Sequence, residues 1–127
     1  MARKVNLLVD TDIFIDYLNH RQFLDLFESD HFTIFYSVVT KRELLSKGGL
    51  QRSEQQAIHQ LLKSLRIIFP DQKILDQYSE LRIKYPTLGK GDCMIAATAI
   101  TKKLSLVTRN YKHFRPIKDL LLYFSAR

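Results

Sequence analysis

Hydrophobic residues alternate along the chain between short apolar runs and longer stretches with helical spacing. The runs predict strands and the stretches predict amphipathic helices. The predicted strands cover residues 5–9, 32–36, 66–69 and 104–108, with a short edge strand around 120–124. The predicted helices cover residues 12–18, 22–28, 37–45, 51–65, 71–85 and 93–103, with a loop over 88–92. Strands that alternate with helices indicate an α/β fold, a three-layer α/β/α sandwich around a mostly parallel sheet.

Length and composition predict a single domain over residues 1–127. The chain has 127 residues, of which 46% are hydrophobic, and this is enough for one normal core. No apolar stretch approaches membrane-spanning length, and the N-terminus has neither a signal-peptide core nor a cleavage site. The single cysteine, Cys93, excludes an internal disulfide and a CxxC zinc site. We therefore expect a cytoplasmic protein with no membrane partner.

The charge balance favours a polyanionic partner. The chain carries 20 Lys and Arg against 13 Asp and Glu, which gives a net charge of +7. Basic surface attracts phosphate and gains free energy from the release of counterions. Acidic residues are the minority, yet several of them fall at predicted strand ends or helix starts.

Three carboxylates and one polar segment lie where a parallel sheet binds ligands. Asp10 closes the first predicted strand, Glu43 starts the helix after the second, and Asp92 begins the helix that precedes the strand at 104–108. Residues 108–110 end that last strand with polar groups. Ligands of open α/β sheets bind at the carboxyl ends of the strands. Clustered carboxylates need protons or a cation, and oxygen ligands suit Mg²⁺ or Mn²⁺.

Each carboxylate also has a purely structural interpretation. Thr11 or Asp12 can cap the first helix. Thr40 and Glu43 have the spacing of a capping box, and Asp92 can offset a helix dipole in a first turn. Cys93 is expected in the core. The four histidines lack the spacing of a zinc site, and among them only His113 is near a site segment.

Four segments together resemble the PIN-domain ribonucleases, in particular the VapC-type toxins of toxin–antitoxin operons. They are residues 8–16 (LVDTDIFID), 40–44 (TKREL), 92–99 (DCMIAATA) and 106–114 (LVTRNYKHF). The resemblance runs from about residue 5 to residue 114. It implies a small α/β/α sandwich, a Mg²⁺ or Mn²⁺ site, endonucleolytic cleavage of RNA, a homodimer and a cognate antitoxin.

The resemblance also assigns site residues. The family's three acidic positions fall on Asp10, Glu43 and Asp92, which are expected to bind the metal and carry catalysis. Family members often have a further carboxylate after the last strand, where this chain has Asn110 and His113. We expect three further residues to contribute to the site: Asp12, Thr108 and Asn110.

A positive rim is expected around this negative centre. Its predicted RNA-binding residues are Lys41, Arg42, Arg109 and Lys112.

Two other functions compete with the nuclease. Residues 10–12 look like the opening motif of haloacid-dehalogenase-like phosphatases, with Asp10 as nucleophile and Asp12 as acid. Gly91 and Asp92 imitate a later motif of those enzymes, but Ala96 replaces its second aspartate. The other alternative is a non-catalytic RNA-binding module.

Overall fold

Four parallel strands form the centre of the structure, a computed structural model that describes residues 3–124. The strands are β1 (Val5–Val9), β2 (Phe32–Ser37), β3 (Arg66–Ile68) and β4 (Ser105–Val107). Their order in the sheet is β3-β2-β1-β4, and every neighbouring pair is parallel. Strand β1 is therefore central, and its last three residues are buried. The prediction of a mostly parallel sheet is confirmed.

Seven helices accompany the sheet in the described part of the chain. They are α1 (Thr11–His20), α2 (Leu24–Glu28), α3 (Val38–Leu45), α4 (Arg52–Lys63), α5 (Gln72–Lys84), α6 (Lys90–Lys102) and α7 (Tyr111–Phe114). Within residues 3–124, no helix is both long and apolar enough to cross a bilayer.

The two faces of the sheet bury two separate hydrophobic cores. Leu8 of β1 and Leu106 of β4 point to a core that includes α5 and α6. Leu7 and Val9 point the opposite way, to a core that includes α1 and α4. Alternate residues of a strand face opposite sides, so a fully apolar strand such as β1 serves both cores. The result is the predicted α/β/α sandwich.

Several element boundaries differ from the prediction. The loop predicted over 88–92 is wrong at its end, because α6 begins at Lys90 with Gly89 as its N-cap. Helix α7 was not predicted, since four residues are too few to show helical periodicity. The edge strand predicted around 120–124 is reduced to one bridge, in which Leu122 pairs with Leu106.

Smaller differences arise from backbone conformation and exposure. Helix α2 begins at Leu24 rather than at residue 22, because Phe23 is left-handed with a φ of 59°. Strand β3 ends at Ile68, and Phe69 beyond it is 63% exposed. The single-domain prediction covers residues 1–127, of which 1–2 and 125–127 lie outside the described residues.

Candidate metal centre

Asp10 occupies the carboxyl end of β1 and is also the N-cap of α1. Its backbone amide still bonds to the carbonyl of Val107 at 2.9 Å, which keeps it beside the end of β4. Its Oδ1 accepts from the amide of Thr11 at 2.8 Å, and its Oδ2 accepts from the hydroxyl of Thr108 at 2.7 Å. The capping role expected for Thr11 or Asp12 therefore belongs to Asp10 itself.

The environment of Asp10 opposes its ionisation. The side chain is buried, and burial, the charge of Asp12 and the charge of Asp92 together raise the pKa of Asp10 from 3.8 to about 7. Burial is the largest of these causes, and the bonds from Thr108 and Thr11 only partly offset them. Negative charge is therefore in excess at this end of the sheet.

Glu43 is connected to Asp10 through Thr11. The hydroxyl of Thr11 donates to Glu43 Oε1 and lies 3.0 Å from the hydroxyl of buried Thr40. A hydroxyl has one proton, so Thr40 donates to Thr11 while Thr11 donates to the carboxylate. The capping box predicted for Thr40 and Glu43 is wrong, because Ser37 caps α3 by accepting from the amide of Val39.

Asp92 lies in the first turn of α6, against the segment that follows β4. Its Oδ2 is 3.3 Å from Nδ1 of His113 in α7. Gly91 lies beside Glu43, and a Cβ at this glycine would be 3.6 Å from Glu43 Oε2. Helix α6 therefore runs close to α3, which brings Asp92 and Glu43 to the same end of the sheet.

Asp12 and Asp16 form a second acidic pair on α1, and Arg109 covers both. The guanidinium Nε of Arg109 is 3.1 Å from Asp16 Oδ2 and 3.7 Å from Asp12 Oδ2. The backbone amide of Arg109 donates to Asp12 Oδ2 at 3.1 Å. The pKa of Asp12 is raised, mainly by burial. The structure shows Arg109 paired with two carboxylates of α1, and its expected contact with RNA stays a prediction.

The other expected contributors divide between the interior and the rim. Thr108 is buried and donates to Asp10, while its oxygen accepts from the amide of Asn110. Asn110 is exposed at the N-cap of α7. Two cavities open on either side of Gly91 and Asp92, and basic residues line both: Arg42 and Lys90 on one side, Lys112 on the other. Lys41 is half-buried on α3.

Sequence patterns alone missed two contacts and the position of one lysine. Thr11 was considered only as a helix cap, and the partnership between Arg109 and Asp16 was not considered. Lys90 was placed in a loop, although it begins α6 and borders the same cavity as Glu43. Its position before Gly91 and Asp92 could have marked Lys90 as a neighbour of the site. No local pattern, however, shows which residues of α6 lie beside α3.

The donor set fits a hard divalent cation. Asp12 Oδ1 is buried without a hydrogen-bond partner among the described residues, and Asp10 is surrounded by negative charge. Oxygen ligands and uncompensated charge are what Mg²⁺ and Mn²⁺ require. In residues 3–124, however, no three acidic, histidine or cysteine side chains are grouped tightly enough to hold an ion. Joint binding of one ion by Asp10, Glu43 and Asp92 therefore stays a prediction.

Comparison with known proteins agrees with this geometry. Residues 7–119 match the family model of the PIN domain. Ribonuclease VapC1 of Methanocaldococcus jannaschii is 30% identical over 118 residues, which cover 89% of this chain and 82% of the relative. Ribonuclease VapC10 of Mycobacterium tuberculosis is 32% identical over 122 residues, which cover 90% of each chain.

Solved structures with the same fold come from toxin–antitoxin complexes. A chain of VapBC2 from Rickettsia felis, bound to a promoter DNA fragment, has a TM-score of 0.82 and 28% identity. The alignment covers 94% of this chain and 98% of that one. A chain of a toxin–antitoxin complex from Klebsiella pneumoniae has a TM-score of 0.77 and 29% identity, with the same coverage.

This chain belongs to the PIN domain family, among the VapC-type ribonucleases. The resemblance drawn from the four sequence segments is confirmed, and so is the α/β/α architecture. The site residues that the resemblance assigns remain predictions.

Proposed function

We propose that this protein is a Mg²⁺- or Mn²⁺-dependent endoribonuclease that acts as the toxin of a toxin–antitoxin pair. The observation that carries the proposal is the environment of Asp10, where burial, Asp12 and Asp92 raise the pKa to about 7. A protein without a cationic ligand gains nothing from such a cluster, because it costs stability at neutral pH. A bound divalent cation removes that cost.

The residues around the cluster have different roles. When bound, the cation polarises a phosphodiester and supplies an activated water. Asp10 is the fixed ligand, because Thr11 and Thr108 hold both of its oxygens. Glu43 is oriented by Thr11, and Asp92 lies against His113. Each carboxylate oxygen that accepts one hydrogen bond retains a lone pair for the ion.

Basic residues on either side of the carboxylates provide the means to hold RNA. Arg42 and Lys90 line one neighbouring cavity and Lys112 lines the other. Contacts to phosphates position a nucleic acid without reading its sequence. We therefore assign these residues, with Lys41 and Arg109, to the RNA backbone.

An antitoxin is the proposed protein partner. One of the solved structures with this fold, from Klebsiella pneumoniae, is named a toxin–antitoxin complex. An apolar groove of about 340 Å³ lies between α1, α3 and α4, and Glu43 is part of its lining. A partner segment in this groove would contact a catalytic carboxylate directly.

We also propose a homodimer, which light scattering of the purified protein will test.

The nuclease is tested by replacing Asp10 with Asn, which removes the charge and keeps the shape. We expect the purified wild type to cleave a structured RNA with Mn²⁺, and the variant to lose at least about 100-fold in rate. Asp30→Asn is the matched control, because Asp30 is exposed and remote from the cluster. Excess EDTA is expected to abolish wild-type cleavage.

Two results would contradict this function. Equal rates for wild type and Asp10→Asn would remove Asp10 from the mechanism, and activity in excess EDTA would remove the metal. Turnover of a phosphomonoester with a phosphorylated Asp10, and without RNA cleavage, would favour the phosphatase instead. Salt-dependent RNA binding without cleavage in any metal would favour the non-catalytic module.

A further inference from the structure

His113 is held against Asp92 by the fold of the segment that follows β4. Its Nδ1 lies 3.3 Å from Asp92 Oδ2, and its side chain is 60% exposed. The next residue, Phe114, is fully buried in the core with α6, and it anchors α7 at this place. The imidazole therefore borders the carboxylate cluster in a defined position while one side of it remains open to solvent.

The separation of these two atoms matches that of two ligands on one ion. Adjacent ligands of an octahedral ion, each at about 2.1–2.2 Å, lie about 3 Å apart. Nδ1 and Oδ2 are already close to that distance. A hydrogen bond between them fits the same distance, so the test has to separate direct ligation from a contact that only orients Asp92.

We propose that His113 is a nitrogen ligand of the ion bound by Asp92, and that it makes the site selective for Mn²⁺ over Mg²⁺. This inference rests on the proposed function, because it concerns the same ion. Mg²⁺ takes oxygen ligands almost exclusively. Mn²⁺ also prefers oxygen, but as a transition-metal ion it accepts an imidazole nitrogen more readily than Mg²⁺ does. A carboxylate at this position would complete an all-oxygen set, and an imidazole shifts the preference toward Mn²⁺.

The experiment is a Mn²⁺ titration of the full chain at about pH 8, where protons compete little with the metal for imidazole. Electron paramagnetic resonance counts free Mn²⁺, and pulsed measurements detect hyperfine coupling from a directly bound nitrogen. Histidine labelled with ¹⁵N assigns that coupling. Mg²⁺ affinity is obtained by competition. The variants are His113→Asn, which keeps an N–H group near Asp92, and His113→Asp, which supplies a carboxylate.

We expect nitrogen coupling in the wild type and none in either variant. The ratio of Mn²⁺ to Mg²⁺ affinity is expected to fall about tenfold in His113→Asp, the order of loss seen when a metal site loses a supporting group. His59→Asn is the matched control, because His59 is exposed on α4, and it should keep both the coupling and the ratio. Thermal unfolding without metal verifies that each variant is folded.

The other outcomes separate the two proposals. Mn²⁺ that binds without nitrogen coupling, with an unchanged affinity ratio in His113→Asp, overturns the role of His113 and leaves the metal site standing. Retained coupling in His113→Asn overturns it too, since the nitrogen then comes from another residue. If the wild type binds no Mn²⁺ at all, the metal site of the proposed function fails and this inference fails with it.

Discussion

The side chain of Asp10 caps α1 and at the same time experiences the charges of Asp12 and Asp92. The capping bond stabilises the helix, whereas ionisation in a buried place destabilises the fold. These opposing effects give the metal-free protein a stability that depends on pH. The effect is specific to one residue, so it can be isolated by substitution.

We predict that Asp10→Asn stabilises the metal-free protein at neutral and alkaline pH. The pKa of Asp10 is 3.8 in the unfolded chain and about 7 in the fold. Asp10 therefore costs no stability below pH 3.8, and the free energy of unfolding falls as pH rises from 3.8 through 7. Above that value the loss approaches about 4 kcal/mol, at 1.36 kcal/mol per pKa unit. Urea unfolding of both proteins in EDTA, at several pH values, measures the difference.

Metal provides the control for that measurement. Divalent cation should restore wild-type stability and leave Asp10→Asn unchanged, because only the wild type has the charge that the ion compensates. Asp30→Asn should show neither effect. A constant difference between wild type and Asp10→Asn at all pH values would show that the carboxyl titrates normally.

The second prediction concerns Thr11, whose hydroxyl orients Glu43. Thr11→Val keeps the shape of the side chain and removes the proton donor, so Glu43 loses its buried anchor. We expect metal affinity to fall about 10- to 100-fold, as it does when a supporting hydrogen bond is lost. Thr11→Ser keeps the hydroxyl and should retain nearly full affinity. Calorimetric titration of Mn²⁺ measures all three proteins, and equal losses in Val and Ser would refute the orienting role.

At the scale of residues, the sequence identified the candidate site residues but not the side chains that they contact. Asp10, Glu43 and Asp92 were found because each lies at a strand end or helix start, which a local pattern reveals. The bond between Thr11 and Glu43 spans 32 residues, and the contact between Asp92 and His113 spans 21. No local pattern encodes such pairs, because they depend on how α3, α6 and α7 pack.

At the scale of elements, prediction succeeded where a continuous apolar run marks a buried strand. The residues of β1 matched the prediction because a central parallel strand is apolar on both faces. The start of α6 was missed because residues 89–91 contain two glycines and a lysine, which read as a loop. The helix nevertheless extends to Lys90, and Gly91 packs beside Val39 and Glu43 of α3. A tertiary contact thus overrides local propensity.

The close approach of α6 to α3 leads to the third prediction. A Cβ at Gly91 would meet Glu43 Oε2 and Val39 Cγ1 at 3.6 Å each, which is ordinary contact. Gly91→Ala should therefore fold, and should raise the free energy of unfolding by about 0.4–1 kcal/mol, because alanine has less conformational freedom than glycine in the unfolded chain. The added methyl group also covers one side of the Glu43 carboxylate, so we expect metal affinity to fall about tenfold.

Stability and metal affinity are expected to change in opposite directions in this variant, and urea unfolding with Mn²⁺ titration measures both. Gly48→Ala is the control, because nothing lies within 4 Å of a Cβ at Gly48. A Gly91→Ala protein with unchanged metal affinity would show that Glu43 binds the ion from its other side or does not bind it.

At the scale of the whole molecule, which has a net charge of +7, the basic residues near the site have two different environments. Arg109 pairs with the carboxylates of Asp12 and Asp16, while its side chain remains 57% exposed. Arg42 and Lys112 are exposed and line open cavities beside the cluster. Composition alone predicted a polyanionic partner, but it did not distinguish a cation that stabilises the fold from one available to a phosphate.

The fourth prediction separates these roles in RNA binding. In an Asp10→Asn background, which prevents cleavage, Arg42→Ala and Lys112→Ala should each weaken RNA binding and reduce the slope of log affinity against log salt by about one. Lys63→Ala is the control for net charge, since Lys63 is exposed at the end of α4. Arg109→Ala should in addition lower the free energy of unfolding by about 1–2 kcal/mol, because Asp16 is buried and loses its cation. Filter binding at several salt concentrations and urea unfolding provide the two measurements. Equal changes in slope for Lys63→Ala and Lys112→Ala would mean that RNA senses only total charge, and the rim beside the carboxylates would lose its assigned role.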